Sequence, residues 1–286
     1  MTTVRNMSLP RIRLAAAALT AALLAGCPAC LADWVCPACG ASVEGDFCLS
    51  CGLMKPPEGM AFIPEGAVLL NGEEVTFEAF FIDSAPASYR QVLPWLNATI
   101  QSPEEWAMIV TGQYDDDLLF LKFTPFTGSS DRSSIVVPAS CFDLPAASFT
   151  WEGARHFLSD QGKRLPTRAE LLAAWQAGLV DPVDTHAVMG CFESVMVATL
   201  GTVLGSLDRQ AMFMPGNSSP EERLMWEWTR DAWLQAAGDL SDLDEGNRTI
   251  MKPLDPPVFG FAGRNNGYFN VIFRGVVAAR LPGYPD

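Results

Sequence analysis

Positive charge is scarce in this chain: 19 lysines and arginines stand against 33 aspartates and glutamates, for a formal net charge of −14. A surface of that sign repels phosphate backbones, which argues against nucleic acid as a partner. Histidine is scarcer, with only His156 and His186 in 286 residues, and a three-histidine iron site cannot be built from two. No cysteine follows Cys191, so the last third of the chain offers no thiolate to a soft metal. No internal repeat or long low-complexity tract interrupts it. No apolar run reaches the roughly 20 residues that a membrane-spanning helix needs.

What is present is enough apolar material, 49% of residues, to bury one large core with a small appendage. Arg5, Arg11 and Arg13, no acid, and then the apolar run Leu14 to Ala25 have the layout of a secretory signal over residues 1–32. Two cleavage readings compete. Leu24-Ala25-Gly26-Cys27 matches a lipobox and would leave a lipid-anchored Cys27, whereas Leu31-Ala32 before Asp33 suits ordinary signal peptidase. Either predicts an extracytoplasmic protein, in the periplasm or at the cell surface, that meets the membrane only through its signal or lipid anchor.

Cys36-x2-Cys39-x8-Cys48-x2-Cys51, with Gly40 and Gly52 after the second cysteine of each pair, is the strongest chemical motif. Two such turns place four thiolates around one metal, and zinc is the ion that four cysteines at this spacing select. The competing reading is a pair of disulfides, favoured by an oxidising compartment. A ribbon over residues 33–54 has almost no core, so metal binding must supply its folding energy. Four cysteine ligands leave no open position for chemistry, which makes the role structural or docking. Lys55-Pro56-Pro57-Glu58 is a stiff linker to the main domain, residues 55–286.

The main domain reads as α+β. Thr150 is an N-cap for an amphipathic helix carrying Trp151, Ala154, Phe157 and Leu158, ending at Gly162. Pro166 holds Leu165 extended. Thr167 with Glu170 forms a capping box for a second helix through Leu171, Leu172 and Trp175 to Gly178. Apolar runs at Met60–Ile63, Val68–Leu70, Val75–Ile82, Leu118–Phe123, Ser134–Val137 and Val271–Ala279, punctuated by Gly, Pro, Asp and Asn, read as strands.

These segments also carry a resemblance. The stretch from Trp151-Glu152 through Gly162-Lys163-Arg164-Leu165-Pro166-Thr167 to Ala169-Glu170 resembles the formylglycine-generating enzyme family, or sulfatase-modifying-factor domains. Gly59 to Gly66 is similar to that family's opening strand, and Phe81-Ile82-Asp83 with Pro86 to its next. Trp226-Glu227-Trp228-Thr229-Arg230-Asp231 resembles its Trp-Glu-Trp-Thr-x-Asp signature, and Asn270 to Arg274 its closing strand. Together these cover roughly residues 57–280. The resemblance implies an irregular C-type-lectin-like fold with two helices and much loop, held by buried tryptophans and often by calcium. Glu227 resembles a calcium ligand, although the Asn-bearing segment that precedes it in the family is replaced here by Glu222-Arg223-Leu224-Met225. Acidic loops at Asp115–Asp117 and Asp239–Glu245 offer oxygen ligands for calcium or are simply solvated.

The family's formylglycine-generating members are copper oxidases that hold the metal through two cysteines near the C-terminus. Between Met251 and Arg274 this chain has none, and presents Phe259, Phe261, Arg264, Asn265, Asn266, Tyr268 and Asn270 instead. Cys141 and Cys191 remain as a disulfide, two buried thiols or a redox pair. Two functions from different classes follow. One is a non-catalytic module that binds a protein or small-molecule ligand through Trp226, Trp228, Arg264, Asn265, Asn266, Tyr268 and Asn270, where Arg, Asn and Tyr supply adaptable contacts. The other is a maturation enzyme that oxidises a secreted protein or metabolite, for which no nucleophile, base pair or metal constellation can be named.

Overall fold

A computed structural model describes residues 34–100, 109, 127–128, 135–137, 139–185, 188, 224–232, 247–254, 256–263 and 271–280. The expected leader, the expected strand Leu118–Phe123 and the acidic loops 115–117 and 239–245 lie outside the described residues. Those described form two compact units that divide between Lys55 and Pro56, with Arg280 belonging to the smaller. In the smaller unit, β1 (Trp34–Val35) pairs antiparallel with β2 (Ser42–Val43).

The larger unit is mixed α+β. A three-stranded antiparallel sheet places β6 (Phe80–Asp83) between β3 (Met60–Ile63) and β13 (Val276–Ala278). Nearly two hundred residues of chain separate the central strand from its C-terminal neighbour. Between β3 and β6 lies a hairpin of β4 (Gly66–Leu70) and β5 (Glu73–Phe77). Its two-residue loop is Asn71-Gly72, both at positive φ (54° and 85°), the conformation that matches the twist of paired strands. The apolar run Val75–Ile82 is thus two strands, not one, and Val271–Ala279 likewise splits into β12 (Val271–Ile272) and β13.

A four-stranded sheet has the order β11 (Val258–Gly263), β10 (Asn247–Lys252), β9 (Trp226–Ala232), β12. Only the β12–β9 pair is parallel, with Val271 opposite Trp226 and Ile272 opposite Glu227. Strands β10 and β11 carry no clean alternation in sequence and were not expected. A short pair, β7 (Thr127–Gly128) and β8 (Ile135–Val136), completes the strands described.

Three α-helices are described, one more than expected. The unexpected one is α1 (Tyr89–Thr99), entered by Ser88, whose N–H donates to Gln91 Oε1 at 2.9 Å. It buries Tyr89, Val92 and Leu96 and contains Pro94, which obscures its signature because proline is a poor helix-interior residue. The two expected helices fold as their caps dictate. In α2 (Trp151–Asp160) the Thr150 hydroxyl accepts from Gly153 N–H at 2.9 Å, and in α3 (Arg168–Gln176) the Thr167 hydroxyl accepts from Glu170 N–H at 3.2 Å.

One cluster of buried side chains joins α1 and α2 to β12: Val92 and Leu96, Phe157 and Leu158, then Val271 and Ile272. Phe273 packs 5.1 Å from Phe149 and 5.9 Å from Phe157, centroid to centroid. A second cluster lies between α3 and the strands β4 and β6, with Leu171, Leu172, Val68, Leu70, Phe80 and Ile82.

The start of α2 approaches another segment closely. Ile109 O accepts from both the N–H (3.0 Å) and the hydroxyl (3.1 Å) of Thr150, and a Cβ at Gly153 would stand 2.1 Å from that same oxygen. Because the obstacle is backbone, it cannot rotate away. Gly153→Ala should destabilise the larger unit by about 2–4 kcal/mol despite improving helix propensity. Urea unfolding checks this, and a neutral or stabilising result would contradict the contact.

Candidate functional site

The four cysteines of the small unit come together. Their sulfurs all lie within 4.8 Å of one another, with Cys36 Sγ to Cys51 Sγ and Cys39 Sγ to Cys48 Sγ both at 3.5 Å. Sulfurs bound tetrahedrally at about 2.3 Å from a metal stand roughly 3.8 Å apart, so the cluster has the dimensions to hold one ion. Its two halves repeat the same turn. Cys36 N–H donates to Ala41 O (2.9 Å) and Gly40 N–H to Cys36 O (2.8 Å), while Cys48 N–H donates to Leu53 O and Gly52 N–H to Cys48 O, both at 2.7 Å. Gly40 and Gly52 take φ of +73° and +70°, which an L side chain would resist.

Backbone N–H groups turn toward the sulfurs. Burial opposes ionisation of Cys48, but the N–H groups of Ser50 and Cys51, with the thiols of Cys39 and Cys51, outweigh it and bring the group down to about 6. Burial pushes Cys51 up to about 12, joined by the thiols of Cys36, Cys39 and Cys48 and opposed by the Leu53 N–H. The Ala41 N–H works to lower Cys39, yet the Cys48 thiol and burial together raise it. The first negative charge forms easily and the next are resisted by it. A bound cation removes that conflict, since thiolates are the form that ligates.

In the larger unit, the residues that carry the resemblance meet one another. Arg274, fully buried, donates from Nε to Glu227 Oε2 at 2.7 Å and from Nη2 to Glu227 Oε1 at 2.8 Å. Its remaining N–H groups reach Asp83 O (3.2 Å), Ser84 O (3.1 Å) and Asp181 O (3.3 Å). The carboxylate that resembles a calcium ligand therefore has both oxygens held by a guanidinium. Lys163 Nζ donates to Asp83 Oδ1 at 2.7 Å, and Gly275 N–H to Asp83 Oδ2 at 2.8 Å. Arg164 grips Glu170 with both terminal nitrogens.

The Trp226–Asp231 stretch is used at every position. Lys252 Nζ sits 5.0 Å from the centre of the Trp226 ring, and Trp228 Nε1 donates to Phe149 O at 3.1 Å. Thr229 O accepts from Trp151 Nε1 at 2.8 Å while its hydroxyl donates to Thr249 O at 2.9 Å. Arg230 N–H donates to Pro166 O, and Asp231 Oδ2 accepts from Arg168 N–H, both at 2.7 Å.

Trp228 is fully buried, which fits the reading of these tryptophans as core aromatics and takes it off the candidate ligand surface; Glu227 and Thr229, on the opposite face of β9, are buried as well, so the strand is covered on both sides. Trp226 is half-buried. Arg264, Asn265, Asn266, Tyr268 and Asn270 lie outside the described residues, as do Cys27, Cys191 and His186. Cys141 is fully buried and disulfide-bonded. His156 is half-buried on α2. Among the described residues, the cysteines are the one group of three or more metal-ligating side chains close enough to share an ion. Neither a protein-family model nor a curated protein matches the chain.

The Arg164–Glu170 pair has a pH signature. Burial alone would raise Glu170, but the hydrogen bond and charge of Arg164, with the N–H and hydroxyl of Thr167, outweigh it and hold the carboxyl below the usual glutamate range. A group depressed on folding contributes stability above its unfolded pKa of about 4.3 and loses it as pH falls through the lower folded value. Glu170→Gln should therefore cost about 1–3 kcal/mol at pH 7 and flatten the fall in stability below about pH 4. Urea midpoints across that range check it, and parallel wild-type and variant curves would refute it.

Proposed function

We propose that this protein is an extracytoplasmic binding or assembly module: a formylglycine-generating-enzyme-like domain of C-type-lectin-like fold, joined to a small zinc ribbon and delivered by a secretory or lipoprotein signal. One observation carries the non-catalytic reading. The charged residues of the family-like signature are consumed by each other, Asp83 with Lys163, Arg164 with Glu170 and Glu227 with Arg274. Side chains engaged in this way hold segments together and are not poised as acid, base or metal ligand. The absence of any cysteine after Cys191 removes the thiolate pair through which the resembling oxidases take copper.

The ligand surface in this reading is the segment 264–270, where Arg264, Asn265, Asn266, Tyr268 and Asn270 offer hydrogen bonds and compact aromatic contact to a protein or small molecule. Cys141 is assigned Cys191 as its disulfide partner, which suits the compartment. Zinc is assigned to the ribbon because four thiolates at this spacing are its structural ligand set. That role supplies folding energy and leaves no open coordination position.

Two measurements test these assignments. Elemental analysis of natively purified protein should give about one zinc per chain, and removing it with a strong chelator should expose four reactive thiols. No zinc and no free thiols at positions 36, 39, 48 and 51 would replace the metal with two disulfides. The protein supplied with copper or iron, oxygen and a cysteine-containing peptide should show no metal-dependent oxygen uptake. Multiple turnovers in that assay would overturn the binding reading in favour of oxidative maturation.

A further inference from the structure

Next to the signature residues stands a cation that the scaffold leaves without a hydrogen bond. Arg274 has every N–H engaged and Arg164 is paired, but the guanidinium of Arg168 donates no hydrogen bond to the described residues. Its buried Nε has no partner, and Asp231 Oδ2, already accepting the Arg168 backbone N–H, stays 3.8 Å from it. An arginine held over the ring of Phe259 (5.9 Å to the centroid) and in a long ion pair with a carboxylate, but hydrogen-bonded to neither, keeps its donor fork available.

Arg168 lines a cleft of about 250 Å³ between the β4–β5 hairpin and the first turn of α3. The hairpin side contributes Leu70, Glu73 and Val75, the helix side Ala169, and β9 the carboxylate of Asp231. Asp231 Oδ1 accepts no hydrogen bond from the described residues, and Glu73 is exposed at the mouth. A few apolar side chains, Leu70, Val75 and Ala169, among convergent polar groups of both signs are the makings of a site for a small polar ligand. The guanidinium supplies a planar donor fork for a carboxylate, aided by the positive end of α3, while Asp231 and Glu73 accept from an ammonium. Leu70 and Val75 face a short aliphatic body.

We infer that this cleft binds a small zwitterion bearing both a carboxylate and an ammonium group, the chemistry of a free aliphatic amino acid. Two charges of opposite sign on the ligand match one cation and two anions on the protein, and the volume admits little more than one such molecule. This goes beyond the docking role assigned to residues 264–270, because the cleft is built from other segments and its occupancy does not depend on those residues.

Calorimetric titration of the whole chain with L-leucine, 4-methylpentanoate and 3-methylbutylamine is the test. The zwitterion should bind saturably, and each analogue lacking one charged group should bind at least about tenfold more weakly. Arg168→Gln should lower leucine affinity at least about tenfold with little change in the urea midpoint, since this side chain carries no hydrogen bond in the fold. Glu73→Gln, at an exposed hairpin position, should weaken the zwitterion and the amine but leave the carboxylate analogue unchanged. No saturable leucine binding, or equal binding of all three compounds, overturns the inference. Leucine binding that survives both substitutions places the ligand elsewhere and overturns it as well. A negative result would leave the oxygen-uptake and zinc measurements untouched, so the two readings fail separately.

Discussion

The guanidinium of Arg274 holds the larger unit in register. Its five N–H groups end on Glu227 of β9, on the carbonyls of Asp83 and Ser84 at the end of β6, and on the carbonyl of Asp181 beyond α3. Taking such a pair out of water is costly, and its replacement by well-packed apolar groups is often neutral, so net stability is a weak account of its presence. Removing one partner alone is different: it strands a buried charge, at about 3–5 kcal/mol. The geometric consequence is more definite. One side chain fixes four segments against each other, and with them the short parallel contact of β12 with β9 and the pairing of β13 with β6.

Around this point the other signature residues form a single lattice. Asp83 accepts from Lys163 on one oxygen and from Gly275 N–H on the other, while its carbonyl accepts from Arg274. Lys163 lies in the connector between α2 and α3, whose next residue, Arg164, pairs through its backbone with Val276 and through its side chain with Glu170. A sequence resemblance made of such residues reports a scaffold, because each is tied to another by charge and hydrogen bonding whatever the surface loops do. Function on such a scaffold lives in loops and clefts, where sequence can change without disturbing the lattice.

What was legible in the sequence follows the range of the interactions. The two helices with caps at Thr150 and Thr167 and the paired cysteine turns are written in residues a few positions apart, and local chemistry places them. Helix α1 was hidden because Pro94 interrupts a pattern, Tyr89, Val92 and Leu96, that otherwise has helical spacing. The Asn71-Gly72 hairpin does carry a local signal, two apolar runs joined by the dipeptide that favours positive φ. Strands β10 and β11 had no such signal, since they are defined by pairing with β9 and with each other. Trp228 reads equally as a core aromatic or as part of a ligand surface, and it is core. An aromatic in an extended segment gives no indication of which face is covered until its neighbours are known.

The two units differ in how their order arises, and that difference explains why one site was visible and the other was not. Among the described residues of the small unit, Val43 and Leu53 are the buried apolar side chains besides Cys36 and Cys48, too few to fix about twenty residues by apolar burial, which yields only about 1.5–3 kcal/mol per side chain. Its geometry must come from the sulfurs and the backbone turns that present them, both encoded in sixteen consecutive positions from Cys36 to Cys51. The larger unit is ordered by packing and by bonds that span as many as 192 positions, such as Gly275 to Asp83. A cleft assembled from Leu70, Arg168 and Asp231 therefore leaves no trace in any local window. Arg168 stands out only after the lattice has accounted for its neighbours, as a cation whose side-chain hydrogen-bond donors the scaffold does not use.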